Sequence, residues 1–237
     1  MKTIYVLLSR SGTVLSRLVR AATGDEYTHA SIAFDEELST LCSMARIHAA
    51  APLPAALVRE RPDAGYYGGH PNVACALVAV RVPDAGYALA RGRLEAMLAR
   101  QAQTGNRAYR YSLLGLLACR AGREWTRPGR YFCSQLVAQL LLCAGAELPK
   151  PPSLMRPQDL AAVPGAVCVW RGTMGALRGL TCVPAGSMMG GKTTAASTGR
   201  STCSAKPIRS ARSGNTNTSS SSRRSGGKSC SAATGSA

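Results

Sequence analysis

The composition of the chain changes sharply near residue 183, and this change limits where a folded core can lie. Residues 183–237 are rich in Ser, Thr, Gly and Ala, carry eight basic and no acidic residues, and contain no Leu, Phe, Tyr or Trp. Such a segment cannot bury enough apolar surface to offset the entropy of its chain. We therefore predict one folded domain over residues 1–182, followed by a disordered basic tail over residues 183–237.

The first 182 residues are apolar enough to bury a core, since the chain as a whole is 46% hydrophobic. The longest strongly apolar stretch, Leu136 to Ala146, is interrupted by Gln139 and is far shorter than the roughly 20 residues of a membrane-spanning helix. The apolar run at the N-terminus stops at Arg10 without a small-residue cleavage site. We therefore expect no transmembrane segment, no secretory signal and a cytoplasmic location.

The nine cysteines and the net charge of +17 exclude few classes of function. An odd number of cysteines without a CxxC pair predicts neither a disulfide framework nor a zinc site. The basic tail could bind nucleic acid nonspecifically through counterion release, or could be a solvated appendage without a selected role. No aromatic residues interleave its charges and no nucleic-acid-binding motif is present, so we expect no specific nucleic-acid partner.

Hydrophobic spacing in the first 182 residues predicts an α+β fold whose strands are mostly adjacent and antiparallel. The predicted strands are Thr3–Ser9, Thr28–Phe34, Thr40–Ala45, Val73–Val82 and Ala166–Trp170. The predicted helices are Gly12–Thr23, Tyr87–Gln103 (capped by Asp84, with Leu89, Leu94, Met97 and Leu98 inward), Tyr111–Cys119 and Phe132–Ala144, with one helical turn at Pro157–Ala162. The Pro- and Gly-rich segment from His48 to Asn72 is expected to be a long loop, and Arg120–Arg130 another.

Two residues stand out as candidates for chemistry: Cys133, at the start of a predicted helix, and His29, near the start of a predicted strand. A thiol at a helix N-terminus faces unpaired backbone N–H groups and the positive end of the helix dipole, which favour the reactive thiolate. A nearby imidazole would lower the pKa of the thiol further and could carry protons. The alternative is that Cys133 is a small core residue, and His70 stays a minor candidate in its Gly-rich segment.

The residues around these two positions carry a resemblance to a known family. YTHASIAFDEEL followed by RYFCSQLVAQLL resembles the circularly permuted branch of the NlpC-type papain-like cysteine hydrolases, which includes YiiX-like bacterial proteins and the lecithin:retinol acyltransferase group. In this branch the His strand precedes the Cys helix, as it does here. The resemblance covers about residues 3–172 and implies a papain-like antiparallel sheet packed against helices, with Cys at a helix N-terminus.

The resemblance also implies roles for individual residues. Cys133 would be the nucleophile, and His29 the general base and acid. The family usually has a third polar residue on the strand after the His strand, where this sequence has Ser43, with Glu36 and Glu37 in the preceding turn as alternatives. Tyr131 and Gln135 would flank the nucleophile and line the cleft, although two residues into the helix Gln135 is expected to face solvent or a neighbouring loop.

The implied chemistry is a thioester acyl-enzyme, formed from an amide, ester or thioester and resolved by water or another acceptor, without a metal or organic cofactor. The implied partner is a small-molecule, peptide or lipid acyl substrate. Two other hypotheses stay open: a catalytically inactive relative that binds a peptide, lipid or cell-wall fragment in the same cleft, and a basic protein that binds nucleic acid or a membrane surface through its charge.

Overall fold

A computed structural model describes residues 1–10, 24–47 and 54–181, all of which lie within one compact unit spanning residues 1–194. Three parts of the sequence lie outside the described residues: the predicted helix Gly12–Thr23, His48 and the predicted tail. The fold is α+β, as predicted, with a single eight-stranded sheet in the order β7-β6-β4-β3-β2-β1-β5-β8. The strands are β1 (Lys2–Ser9), β2 (His29–Ala33), β3 (Cys42–Arg46), β4 (Ala55–Arg59), β5 (Ala74–Val82), β6 (Arg110–Tyr111), β7 (Arg130–Tyr131) and β8 (Ala166–Thr173).

The sheet is mixed but mostly antiparallel, and its centre is a long ladder between β1 and β5 that pairs Lys2 with Val82 and Ser9 with Cys75. Strand β2 runs antiparallel to β1 on the other side and brings His29 opposite Ser9. The only parallel pair among the described strands is β6 with β7, which places Tyr111 beside Tyr131. This pair forms one edge of the sheet.

Five helices and two 3₁₀ segments complete the described fold. The helices are α1 (Gly65–Gly68), α2 (Asp84–Gln103), α3 (Leu113–Arg120), α4 (Cys133–Cys143) and α5 (Met174–Thr181), and the 3₁₀ segments are Pro152–Leu154 and Pro157–Ala162. Helix α4 ends at Cys143, and Gly145, the predicted helix stop, has a φ of 85° that suits a glycine just after a helix C-terminus. No helix in the described ranges combines the length and apolar character needed to cross a membrane.

Alternating residues of the strands divide the core between the two faces of the sheet. Ala30, Ile32 and Phe34 face the larger cluster, which includes the buried faces of α2 and α4. Ala33 faces a smaller cluster formed with α1 and α5. The predicted alternation along β2 is therefore confirmed, and it places His29 and Ser31 on the polar part of the second face.

Two expectations about packing were wrong. The segment from His48 to Asn72 is not one long loop, because it contains β4 and α1. Ala55–Arg59 lies between residues typical of loops, Pro and Gly, and its alanines have little β propensity. It nevertheless pairs with β3 in a continuous ladder. Leu89 does not point inward but is 60% exposed, because the buried face of α2 runs through Tyr87, Ala90 and Leu94.

Candidate active site

Cys133 is the first residue of α4, and the packing of this helix fixes its position. The helix buries Leu136, Val137 and Leu140 against the first face of the sheet. Its first turn is held by the side chain of Gln135, whose Oε1 accepts a hydrogen bond of 3.3 Å from the backbone N–H of Phe132. Gln135 is therefore buried and caps the helix rather than facing solvent, which corrects the expectation for its side chain.

The fold brings Cys133 and His29 together, as the sequence predicts, although they lie 104 positions apart in the chain. Their side chains are hydrogen-bonded, and the backbone N–H groups of Ala30 and Ser134 also donate to the sulfur. Burial by itself would raise the pKa of the Cys133 thiol, but the hydrogen bond and positive charge of His29 and the two N–H groups outweigh burial and lower it.

Glu60 is the group that contacts the imidazole of His29. It directly follows β4, and its Oε1 lies 3.4 Å from Nε2 of His29, with both side chains largely buried. Burial would lower the pKa of His29, but the Glu60 carboxylate and the Cys133 thiolate outweigh burial and raise it to about 10. Burial would likewise raise the pKa of Glu60, but His29 and neighbouring hydroxyls hold it below its usual value. The three residues therefore favour a thiolate, an imidazolium and a carboxylate.

Serine hydroxyls surround the Glu60 carboxylate on the second face of the sheet. Ser31 donates to its Oε2 at 2.5 Å. The Ser43 hydroxyl is fully buried without a well-formed hydrogen bond among the described residues, yet lies close enough to lower the pKa of Glu60. The structure thus places Ser43 beside the carboxylate that contacts His29, and Glu60 occupies the orienting position for which the sequence suggested Ser43.

The network continues beneath Glu60 to α1. The Tyr67 hydroxyl lies 3.0 Å from Oγ of Ser9 and also contacts Ser31. Burial raises the pKa of Tyr67 well above its usual value, and the charge of Glu60 raises it further. The raised pKa keeps Tyr67 protonated at neutral pH, where its hydroxyl can donate a hydrogen bond into the network.

Tyr111, which the sequence analysis did not single out, lies beside the nucleophile. Its hydroxyl is hydrogen-bonded to Cys133, and burial together with the thiolate charge raises its pKa well above the usual value. Tyr131, the predicted cleft residue, is its neighbour across the β6–β7 pair and is half-buried. Tyr111 reaches the thiol only because the two short strands β6 and β7 pair, and no local pattern in the sequence predicts that pairing.

The other candidates lie elsewhere. Glu36 and Glu37 act on Tyr5, which lies at the opposite end of the β1–β2 ladder from the Ser9–His29 pair. His70 is exposed, stacks on the Tyr66 ring at 4.4 Å between centroids, and has its Nδ1 2.7 Å from the Tyr66 carbonyl oxygen. Neither the two carboxylates nor His70 contacts Cys133 or His29 in the part of the chain that the structure describes.

The chain matches no protein-family model, and no curated protein or solved structure is detectably similar to it. The site therefore has to be interpreted from its own geometry. A buried thiol at a helix N-terminus, an imidazole hydrogen-bonded to it and a carboxylate on that imidazole form the arrangement of an activated nucleophile with an oriented base.

Proposed function

We propose that the protein is a thiol hydrolase or acyltransferase that uses Cys133 as nucleophile and His29 as acid and base. The observation that supports this most directly is the buried row of Cys133, His29 and Glu60 at the N-terminus of α4. The alternative for Cys133, a small apolar core residue, does not account for an imidazole and two backbone N–H groups directed at its sulfur.

The proposed reaction begins from the thiolate–imidazolium pair. The Cys133 sulfur attacks the carbonyl carbon of an amide, ester or thioester, and the carbonyl oxygen takes the negative charge. His29 gives its proton to the departing amine, alcohol or thiol as the carbonyl re-forms and leaves a thioester on Cys133. Neutral His29 then removes a proton from water or another acceptor, which attacks the thioester and releases the acyl group.

The developing oxyanion needs donors that do not have to move. In this proposal they are the backbone N–H of Cys133, at the open end of α4, and the hydroxyl of Tyr111. Because its pKa is raised, Tyr111 keeps its proton throughout the range in which the thiolate forms. Glu60 holds the imidazole and stabilises its charged form, and Ser31 and Ser43 support Glu60.

The proposed family is the circularly permuted branch of the NlpC-type papain-like cysteine hydrolases. Support comes from the order of the elements: a strand that begins with His29 precedes a helix that begins with Cys133, and the helix packs on a mostly antiparallel sheet. The proposal includes a small-molecule, peptide or lipid acyl substrate and a cytoplasmic location, where the thiol would stay reduced.

The test is the pH dependence of iodoacetamide labelling at Cys133, resolved by mass spectrometry, in the wild type and in His29→Ala. We expect Cys133 to label at clearly lower pH in the wild type than in the variant, where it should label only near the pKa of a free thiol, about 8.5. Cys143, a half-buried thiol on the same helix, serves as an internal control and should label alike in both proteins. Labelling of Cys133 that does not depend on His29 would end the catalytic proposal.

One observation favours a second candidate, an inactive relative that binds its ligand in the same cleft. Cys133 is only 4% exposed, so a substrate carbonyl has little direct access to the sulfur in this conformation. The two candidates differ in acylation. A p-nitrophenyl thioester that leaves an acyl group on Cys133, detected by mass, supports the enzyme, whereas binding of substrate analogues without acylation supports the inactive relative.

A further inference from the structure

Helix α3 presents an apolar surface to solvent where a protein normally has a polar one. Leu113, Leu114 and Leu117 are 43%, 58% and 56% exposed, while Gly115 and Cys119 on the opposite side are buried. A helix that is apolar all round normally has both sides covered. The exposed leucines share one face at helical spacing, so they form a continuous patch rather than scattered single residues.

The connection that follows α3 contains an exposed tryptophan. Trp125 is 45% exposed, and the loop before it folds back on the helix through a hydrogen bond of 2.8 Å from the N–H of Arg123 to the carbonyl of Ala118. Tryptophan is enriched where an apolar phase meets water, because its ring is apolar and its N–H is polar. We name the three leucines and Trp125 the α3 surface.

Exposed arginines precede and follow helix α3 along the chain. They are Arg107, Arg110, Arg123, Arg127 and Arg130. Between Thr104 and Tyr131 the only acidic residue is Glu124, which accepts a hydrogen bond from Ser153. Arg110 and Arg130 are direct partners in the β6–β7 pair and have no ion-pair partner among the described residues. Two like charges side by side on neighbouring strands are unfavourable unless an anion offsets them.

We propose that the α3 surface docks the protein on an anionic lipid bilayer. The leucines and Trp125 would insert between the headgroups, and the arginines would contact the lipid phosphates. A bilayer fits these observations because it offers an apolar layer directly beneath a layer of negative charge, which matches exposed leucines and a tryptophan in a segment rich in exposed arginines. An acidic protein partner would match the arginines but would leave the three leucines without an apolar counterpart.

The position of the α3 surface gives the docking a consequence. Helix α3 begins two residues after Tyr111, and the N–H of Ser112 donates to the carbonyl of Tyr131 at 2.8 Å. Both tyrosines adjoin the end of α4 that carries Cys133. Docking would therefore hold the candidate site at the membrane surface. The docking does not depend on the thiol chemistry, so Cys133→Ala should bind vesicles like the wild type.

The test uses the full chain, vesicles and the fluorescence of Trp125. Phosphatidylglycerol-containing vesicles should shift the tryptophan emission to shorter wavelength, whereas pure phosphatidylcholine vesicles should not. The chain has two tryptophans, so Trp125→Phe, which leaves only Trp170, should abolish the shift. The basic residues beyond 182 could attract vesicles without inserting Trp125, and for that reason the emission shift, not co-sedimentation alone, is the decisive measurement.

Matched variants separate insertion from general charge. Leu114→Ser with Leu117→Ser should weaken vesicle binding about tenfold or more, since less apolar surface is removed from water. Leu89→Ser, a leucine as exposed on α2, should leave binding unchanged. Arg123→Glu and Arg127→Glu should each weaken it about fivefold, whereas Arg81→Glu on β5, on the far side of the sheet, should have a smaller effect.

Two results would overturn the docking proposal. Co-sedimentation without an emission shift, unchanged by the leucine substitutions, would assign vesicle binding to other basic segments. An equal emission shift with a soluble acidic polymer such as polyglutamate would assign the α3 surface to an acidic protein partner instead. Circular dichroism of the leucine, arginine and Trp125 variants should match the wild type, because those side chains are exposed.

Discussion

Oε1 of Glu60 lies 3.4 Å from Nε2 of His29, although β3 separates the strands that carry these two residues. Glu60 directly follows β4 and His29 begins β2, so the contact between their side chains spans the width of the intervening strand. Only a long side chain can cross the intervening strand. Ser43, on that strand, lies beneath the carboxylate and supports it.

Glu60→Asp should therefore impair the site although it keeps the charge. The carboxylate would be one methylene shorter and would no longer reach His29 across β3. Glu60→Gln keeps the length but removes the charge that raises the pKa of His29. We expect either variant to slow acylation of Cys133 about 10²- to 10⁴-fold, measured with a thioester substrate under single-turnover conditions. Although Glu60→Asp keeps the negative charge, its acylation rate should be no faster than that of Glu60→Gln.

Glu36→Gln and Glu37→Gln are the matched controls, because they remove the carboxylates that the sequence offered as alternatives. Their charges act on Tyr5 rather than on His29. Both variants should acylate at the wild-type rate. A loss of activity in Glu36→Gln with none in Glu60→Gln would contradict the assignment of Glu60.

The rate of Cys133 alkylation should depend on pH in two steps. It should rise as the thiol loses its proton at a pH below that of a free thiol, because His29 lowers the pKa of Cys133. The alkylation rate should change a second time near pH 10, where His29 loses its proton and no longer stabilises the thiolate. In Glu60→Gln the second step should move to lower pH. A single step at the pH of an ordinary thiol in the wild type would contradict this prediction.

The same groups predict how stability depends on pH. The raised pKa of His29 means that its contribution is fully present below its ordinary value of 6.5 and is lost as pH rises through about 10. The lowered pKa of Glu60 means that its contribution is present above its ordinary 4.5 and is lost as pH falls. Glu60→Gln should thus lower the free energy of unfolding most between pH 4.5 and pH 6.5, by about 3–5 kcal/mol. Urea unfolding at several pH values measures this difference, which should shrink towards pH 10.

The sequence predicted the parts of the site that local patterns encode. The helical spacing after Phe132 placed Cys133 at a helix N-terminus, and the alternation in β2 separated His29 from the apolar face. Glu60 was missed because its strand is flanked by Pro and Gly and rich in alanine. Tyr111 was missed because only the pairing of β6 with β7, which no local periodicity reveals, brings it to the thiol.

Tyr111→Phe should separate formation of the thiolate from stabilisation of the oxyanion. Removal of the hydroxyl leaves the His29 contact intact, so Cys133 should still be alkylated at a similar pH. Acylation by a thioester should slow about 10²- to 10³-fold, since one oxyanion donor is lost. Tyr131→Phe is the matched control on the neighbouring strand and should have a small effect. An equal loss in both variants would indicate a packing role for the pair rather than an oxyanion donor.

The contact between α2 and α4 gives a prediction on stability that involves no titratable group. A Cβ on Gly86 would lie 2.1 Å from the carbonyl oxygen of Ala144, a backbone atom that cannot rotate away. Gly86→Ala should therefore force the end of α4 apart from α2 and lower the free energy of unfolding by about 1–3 kcal/mol. Gly92→Ala, on the same helix but with no atom near the new Cβ, should raise it by about 0.5–1 kcal/mol, because alanine restricts the unfolded chain. Thermal unfolding of the two variants should thus shift in opposite directions, and a matching decrease in both would show that α2 does not rely on this close contact.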